Sequence, residues 1–128
     1  RQRQMCIRDR RVADQYHDEY VRPQESGTKG GLRWWTVADS AGTGLTILAD
    51  APFSASALPY ATADLDVSNF PPQQHSGTLV ARDATFVNFD LLQSGLGCID
   101  SWGALPEKQF RVPYGDYTFR FMLKPTVK

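Results

Sequence analysis

The chain of 128 residues is long enough for one domain with one core, and an apolar fraction of 41% is that of an ordinary globular protein. Lys plus Arg and Asp plus Glu both number 14, so the formal net charge is zero and nothing points to nucleic acid or an anionic membrane as a partner. No apolar run approaches the roughly 20 residues needed to span a bilayer, and two cysteines with two histidines are too few for a disulfide framework or a tetrahedral zinc site.

The opening string "RQRQMCIRDR" is crowded with arginine and has neither a strand nor a helix period. It reads as translated sequencing-adapter sequence in preference to a basic nucleic-acid arm, so residues 1–10 are set aside from the fold and the domain is taken as 11–128. From Arg11 onward the pattern is one of strands and turns. "LRWWTVA" (Leu32 to Ala38) is aromatic and β-branched, bounded by "SGTKGG" before it and "DSAGTG" after it, and "GLTILAD" (Gly44 to Asp50) answers it as the second strand of a hairpin. Because neighbouring strand residues face opposite sides, one of Trp34 and Trp35 is expected in the core and the other over the opposite face.

"FSASALPY" (Phe53 to Tyr60) reads as a further strand, and "TADLDVS" (Thr62 to Ser68) as the one short helix, with Thr62 as its N-cap. "SGTLVAR" and "TFVNFDL" read as a hairpin turning around Asp83 and Ala84. "KQFRV" leads into the last strand, "DYTFRFMLK". There Tyr117, Phe119, Phe121 and Leu123 fall on one face and Thr118, Arg120 and Met122 on the other, the two-residue period of a half-buried strand. About seven short strands separated by turn signals predict an all-β, antiparallel β-sandwich. An exposed apolar face or open strand edge near the start of the chain, and a tendency to associate when expressed alone, are expected as well.

The stretch "GLGCIDSWGALP" (Gly95 to Pro106) sets a tryptophan among loop-forming residues. A large apolar ring is hard to bury in a loop, so Trp102 is either a plug for the sandwich edge or a platform offered to a ligand. Cys98 in the same stretch reads as a small buried loop residue, since catalysis by a thiol needs a histidine base that the sequence does not bring near it.

Four motifs, "YVRPQESGTKGGLRWW", "FSASALPY", "GLGCIDSWGALP" and "FRVPYGDYTFRFML", stand in order from Tyr20 to Leu123. Together they resemble the C-terminal end of the large β-galactosidases of glycoside hydrolase family two, the small-chain region whose fold is part of a β-supersandwich. The resemblance implies a retaining hydrolase of terminal β-D-galactosides, with an acid/base glutamate and a nucleophile glutamate about 5 Å apart on a central barrel. Neither glutamate region is in this sequence, and Glu25 and Glu107 match no catalytic motif, so no catalytic residue and no hydrolysis by this chain alone are expected.

The resemblance places one substrate contact here, Trp102, as an apolar shelf at the mouth of a pocket completed by the barrel. The C–H faces of a pyranose suit an indole, which brings contact area at little rotamer cost. Gly95, Gly97 and Gly103 would let the backbone turn, and Asp100 and Ser101 would fix the turn through side-chain hydrogen bonds to backbone. Glu25, in "RPQESGTKGG", is the second candidate: either a group near the same pocket or part of a polar turn. Cys98 and Ile99 depart from the Gly and Asp that many relatives carry before "DSW".

No cofactor or metal is expected in this domain; a divalent and a monovalent cation, where the full enzyme uses them, would be held by other domains. The implied partners are the barrel and other domains of the same polypeptide, the β-galactoside substrate, and further copies in a homo-oligomer, with no nucleic acid and no membrane. Two other functions stay open on the residues alone: a free-standing carbohydrate-binding module, and a structural sandwich that buttresses an oligomer.

Overall fold

A tight loop at residues 39–43 joins the first two strands of the chain. The computed structural model describes residues 10–19, 23–65, 75–95 and 103–127. Strand β1 is Lys29–Ala38 and strand β2 is Gly44–Leu58. Between them Asp39 accepts two hydrogen bonds through Oδ1, from the N–H groups of Ala41 and Thr43, both at 2.9 Å. Its own N–H donates to the Thr43 carbonyl at 2.9 Å, and Gly42, at φ 87°, takes the left-handed position that an L side chain resists.

The other elements are the helix α1 (Thr62–Leu65), β3 (Phe86–Asp90) and β4 (Phe121–Thr126), with single 3-10 turns at Val12–Gln15, Ser76–Thr78 and Lys108–Phe110. The strands form one four-stranded sheet in the order β1-β2-β3, with β4 also paired to β2; the β1–β2 and β2–β4 pairings are antiparallel. The chain is therefore all-β and antiparallel with one short helix, the class expected for the sandwich.

The chain divides into two compact units, residues 1–28 with 56–88 and residues 29–55 with 89–128. In the second unit, register places Trp34 opposite Leu48 and Leu48 opposite Met122. On the other face of the sheet stand Trp35, Ile47 and Leu123, again directly opposite one another. Ile47 is 1% exposed and Phe53 1% exposed, and together with Ala55 they are the buried apolar residues of this unit among those described. Phe53, Phe89, Phe119 and Phe121 extend that core as tilted or edge-on pairs, the closest being Phe89 and Phe121 at 4.8 Å between ring centroids. Such pairs add about 0.5–1.5 kcal/mol each beyond their buried area. Along the sheet the hydroxyls of Thr36, Thr46 and Thr126 form a chain of two 2.7 Å hydrogen bonds across β1, β2 and β4.

The first unit buries Ala57, Leu58 and Leu65. α1 begins at Thr62, so Thr62 is its first helical residue and not the N-cap expected from sequence. The cap position falls to Ala61, whose N–H donates to Asp64 Oδ2 at 2.8 Å, the returning half of a capping box. Asp64 also holds Arg82, through Nε at 2.7 Å and Nη2 at 2.5 Å, and the Arg82 guanidinium lies 5.9 Å from the centroid of the Phe86 ring. Residues 66–68 of the expected helix lie outside the described residues.

Several expected strand boundaries move. β2 is one strand where two are expected around "DAP", because a bulge absorbs the interruption: while β1 advances from Leu32 to Trp34, its partner steps from Phe53 to Leu48. Pro52, which cannot donate to a ladder, lies within that bulge.

"SGTLVAR" forms a 3-10 turn followed by non-strand chain, so the hairpin around Asp83 and Ala84 is absent. That segment is tied instead by Arg82, whose N–H donates to the Pro59 carbonyl at 2.8 Å while its side chain grips Asp64. The last strand starts at Phe121, four residues later than the two-residue period suggests, and Phe121, Met122 and Leu123 are all exposed. Tyr117 is engaged locally, its hydroxyl donating to the Pro113 carbonyl.

Candidate functional site

Of the stretch from Gly95 to Pro106, the structure describes Gly95 and residues 103–106. At its start the Gly95 N–H donates to the Phe110 carbonyl at 2.7 Å, and the two backbones approach so closely that a Cβ on residue 95 would lie 2.5 Å from the Phe110 Cβ. Glycine is required there by proximity, not by a left-handed turn, since its φ is not positive. At the far end Gly103 has φ 101° with open space around it, so there the requirement is conformational. Gly95 and Gly103 are therefore each suited to glycine for a different physical reason. Gly97, Asp100, Ser101 and Trp102 lie outside the described residues.

Phe110 is fixed in turn. Its N–H donates to the Glu107 carbonyl at 2.8 Å, the Arg111 N–H donates to the Lys108 carbonyl at 3.3 Å, and the Arg111 Nε donates to the Pro106 carbonyl. Beside this clasp a recess of about 420 Å³ is lined chiefly by Leu92, Gly95, Phe110, Val112, Pro113 and Tyr117. Its size is within the range of small-molecule sites, and its walls are mostly apolar. Phe110 is the site residue that sequence reasoning missed. Nothing in the spacing of "KQFRV" signals that its backbone meets Gly95, because the contact is made by chain path and not by local pattern.

Glu25 is exposed and belongs to the first unit, whereas Gly95 and Gly103 belong to the second. The turn that follows it is anchored to the Val12–Gln15 turn. Ser26 Oγ accepts from the His17 N–H at 3.1 Å, and Gly27, at φ 74°, sits where a Cβ would be 2.5 Å from the Gln15 carbonyl oxygen. Glu107 accepts from Gln109 Nε2 at 2.5 Å. Among the described residues no group of three or more His, Cys, Asp or Glu is placed to hold a metal ion, and no helix is long and apolar enough to cross a membrane.

The family model described as β-galactosidase small chain matches residues 5–123. Among curated proteins, a β-galactosidase of Priestia megaterium and one of Streptococcus thermophilus are each 34% identical over 108 residues, covering 83% of this chain and 10% of the relative. A β-galactosidase of Photobacterium profundum is 30% identical over 117 residues, 88% of this chain and again 10% of the relative. The chain thus spans about a tenth of the length of the curated relatives it matches. With a family model covering nearly the whole sequence and relatives that agree, the chain belongs to the β-galactosidase small-chain family.

Proposed function

We propose that residues 11–128 act as the C-terminal domain of a retaining β-galactosidase, hydrolysing terminal β-D-galactosides together with a catalytic barrel elsewhere in the same polypeptide. The two carboxylates of that mechanism, about 5 Å apart, belong to the barrel; Glu25 and Glu107 fall in separate units here and serve neither role. This domain contributes Trp102 as an apolar shelf for the acceptor sugar or departing aglycone. Asp100 and Ser101 support its loop, and Glu25 is a second, polar contact.

The observation that carries this reading is the match of the β-galactosidase small-chain family model to residues 5–123, a span that includes "GLGCIDSWGALP". The described glycines on either side of residues 96–102, Gly95 packed on Phe110 and Gly103 at φ 101°, each stand where a side chain is disfavoured. An indole offers amphipathic contact area at low entropic cost. Replacing Trp102 with Ala in the full-length enzyme should weaken glucose as an acceptor about tenfold, equivalent to about 1.4 kcal/mol. Unchanged transfer to glucose sinks the platform assignment. Tryptophan fluorescence of residues 11–128 titrated with galactose or lactose separates the other reading: no response fits a site shared with the barrel, while saturation at sub-millimolar sugar identifies a free-standing binding module.

A further inference from the structure

We infer that the sheet face carrying Trp34, Leu48 and Met122 is a docking surface, covered in the full-length polypeptide by an apolar face of another of its domains. Of the reading above, the inference rests only on this chain being one domain of a longer polypeptide. Register aligns the three side chains across β1, β2 and β4, and all three are exposed. The opposite face already carries its layer: Ile47 is buried there, and Phe53, Phe89, Phe119 and Phe121 pack into the core of the same unit.

The polar part of the Trp34 face is prepared for burial. Next to the apolar row Thr36 and Thr46 stand opposite one another, their hydroxyls joined at 2.7 Å, and a second 2.7 Å hydrogen bond runs from Thr46 to Thr126. In contact with water a hydroxyl needs no protein partner, whereas under a cover an unpaired one is costly. Two bonds use two of the three hydroxyl protons, so the threonines can be covered with little left to satisfy. Lys124, opposite Thr46, is exposed, and its long stem can lie along the face while the ammonium stays in water at the rim. An apolar centre with a polar margin is the anatomy of an interface.

The occupant is part of the same polypeptide and not a second copy. This chain covers 10% of the curated β-galactosidases it matches, so the greater part of such a polypeptide is there to supply the covering surface. A partner joined through the chain acts at an effective concentration that reaches about the millimolar range, whereas separate copies at ordinary protein concentrations are far more dilute. The tethered surface therefore takes the face first, and association of the chain expressed alone draws on the face left bare.

The experiment uses the full-length polypeptide with Lys124 replaced by the photo-reactive residue benzoylphenylalanine, irradiated in the native state, with the cross-linked peptides identified by mass. Cross-links to peptides outside residues 11–128 of the same molecule are expected. Cross-links confined to residues 11–128, cross-links to a second copy revealed by mixing isotopically labelled and unlabelled polypeptide, or no cross-link at all would each overturn the proposal. Should that variant fail to fold, Met122 of the wild-type polypeptide decides. Hydrogen peroxide should convert it to the sulfoxide about tenfold or more slowly in the native state than in urea, and equal rates would mean an uncovered face.

Hydrolysis of a β-galactoside, measured on the same polypeptide, separates this proposal from the reading above. Cross-linking as expected without hydrolysis keeps the docking face and removes the enzyme assignment. Hydrolysis without the expected cross-links keeps the enzyme assignment and removes the docking face.

Discussion

Asp64 concentrates more interactions than any other described carboxylate in the first unit. Its two oxygens accept from the Ala61 N–H and from two nitrogens of Arg82, a fork-to-fork pairing that fixes both direction and distance. The hydrogen bonds from Arg82 and then from the Ala61 backbone hold the Asp64 carboxyl below its ordinary value of 3.8, and the same pairing raises Arg82 above its own. A carboxylate whose folded pKa is depressed contributes stability that is fully present above the unfolded value and lost as the pH falls through the lower folded one. Acid unfolding followed by circular dichroism should therefore show wild type losing stability below about pH 4 more steeply than Asp64→Asn. Identical acid limbs for the two proteins would remove the pair from the account. The Asp–Arg contact joins residues 18 apart in sequence, and no local pattern announces it. The sequence reading accordingly assigns "SGTLVAR" to a strand that a side-chain clamp replaces.

At the scale of elements, what could be read in the sequence is what depends on neighbours along the chain. The aromatic and β-branched run of β1, the answering apolar residues of β2 and the turn residues between them specify the first hairpin, and β3 falls inside "TFVNFDL" as expected. What escapes is set by distant partners: the bulge that makes β2 continuous through Pro52, and the late start of β4, where Phe119 turns into the phenylalanine cluster instead of extending the ladder.

Gly44 opens β2 as "GLTILAD" predicts, but the reason it must be glycine is not local: it stands opposite Ala38, and a Cβ there would lie 2.0 Å from the Val37 carbonyl oxygen and 2.5 Å from the Ala38 Cα. Both obstacles are backbone and cannot rotate away. Gly44→Ala should destabilise the fold by about 3 kcal/mol, whereas Gly77→Ala, at a position with nothing within 4 Å of the added methyl, should stay within about 0.5 kcal/mol of wild type. Urea midpoints for the two variants make the comparison, and equal shifts would contradict it.

For the molecule as a whole, the decisive property is apolar surface on both faces of one sheet. Trp34, Leu48 and Met122, aligned across β1, β2 and β4, are 40%, 38% and 63% exposed, and Leu45, Phe121 and Leu123 are exposed on the opposite face. Among the described residues β1 pairs on one side only, so the expected open edge near the start of the chain is its outer side. Alternation in "DYTFRFMLK" points to one apolar face, that of Phe121 and Leu123, whereas the row on the opposite face is assembled from Trp34, Leu48 and Met122 of three strands and is legible only once register is known. With a formal net charge of zero there is also no long-range repulsion to keep copies apart.

Aligned rows of this kind and an unpaired edge are the two features through which sheet proteins associate. Expressed by itself, the chain should show concentration-dependent self-association in sedimentation velocity at micromolar loading. Met122→Lys, which sets a charge at the most exposed position of that row, should shift the distribution towards monomer, while Val80→Lys, on the other compact unit at a still more exposed site, should not. A strictly monomeric wild-type chain, or equal effects from the two lysines, would show that the Trp34, Leu48 and Met122 row is not what drives association.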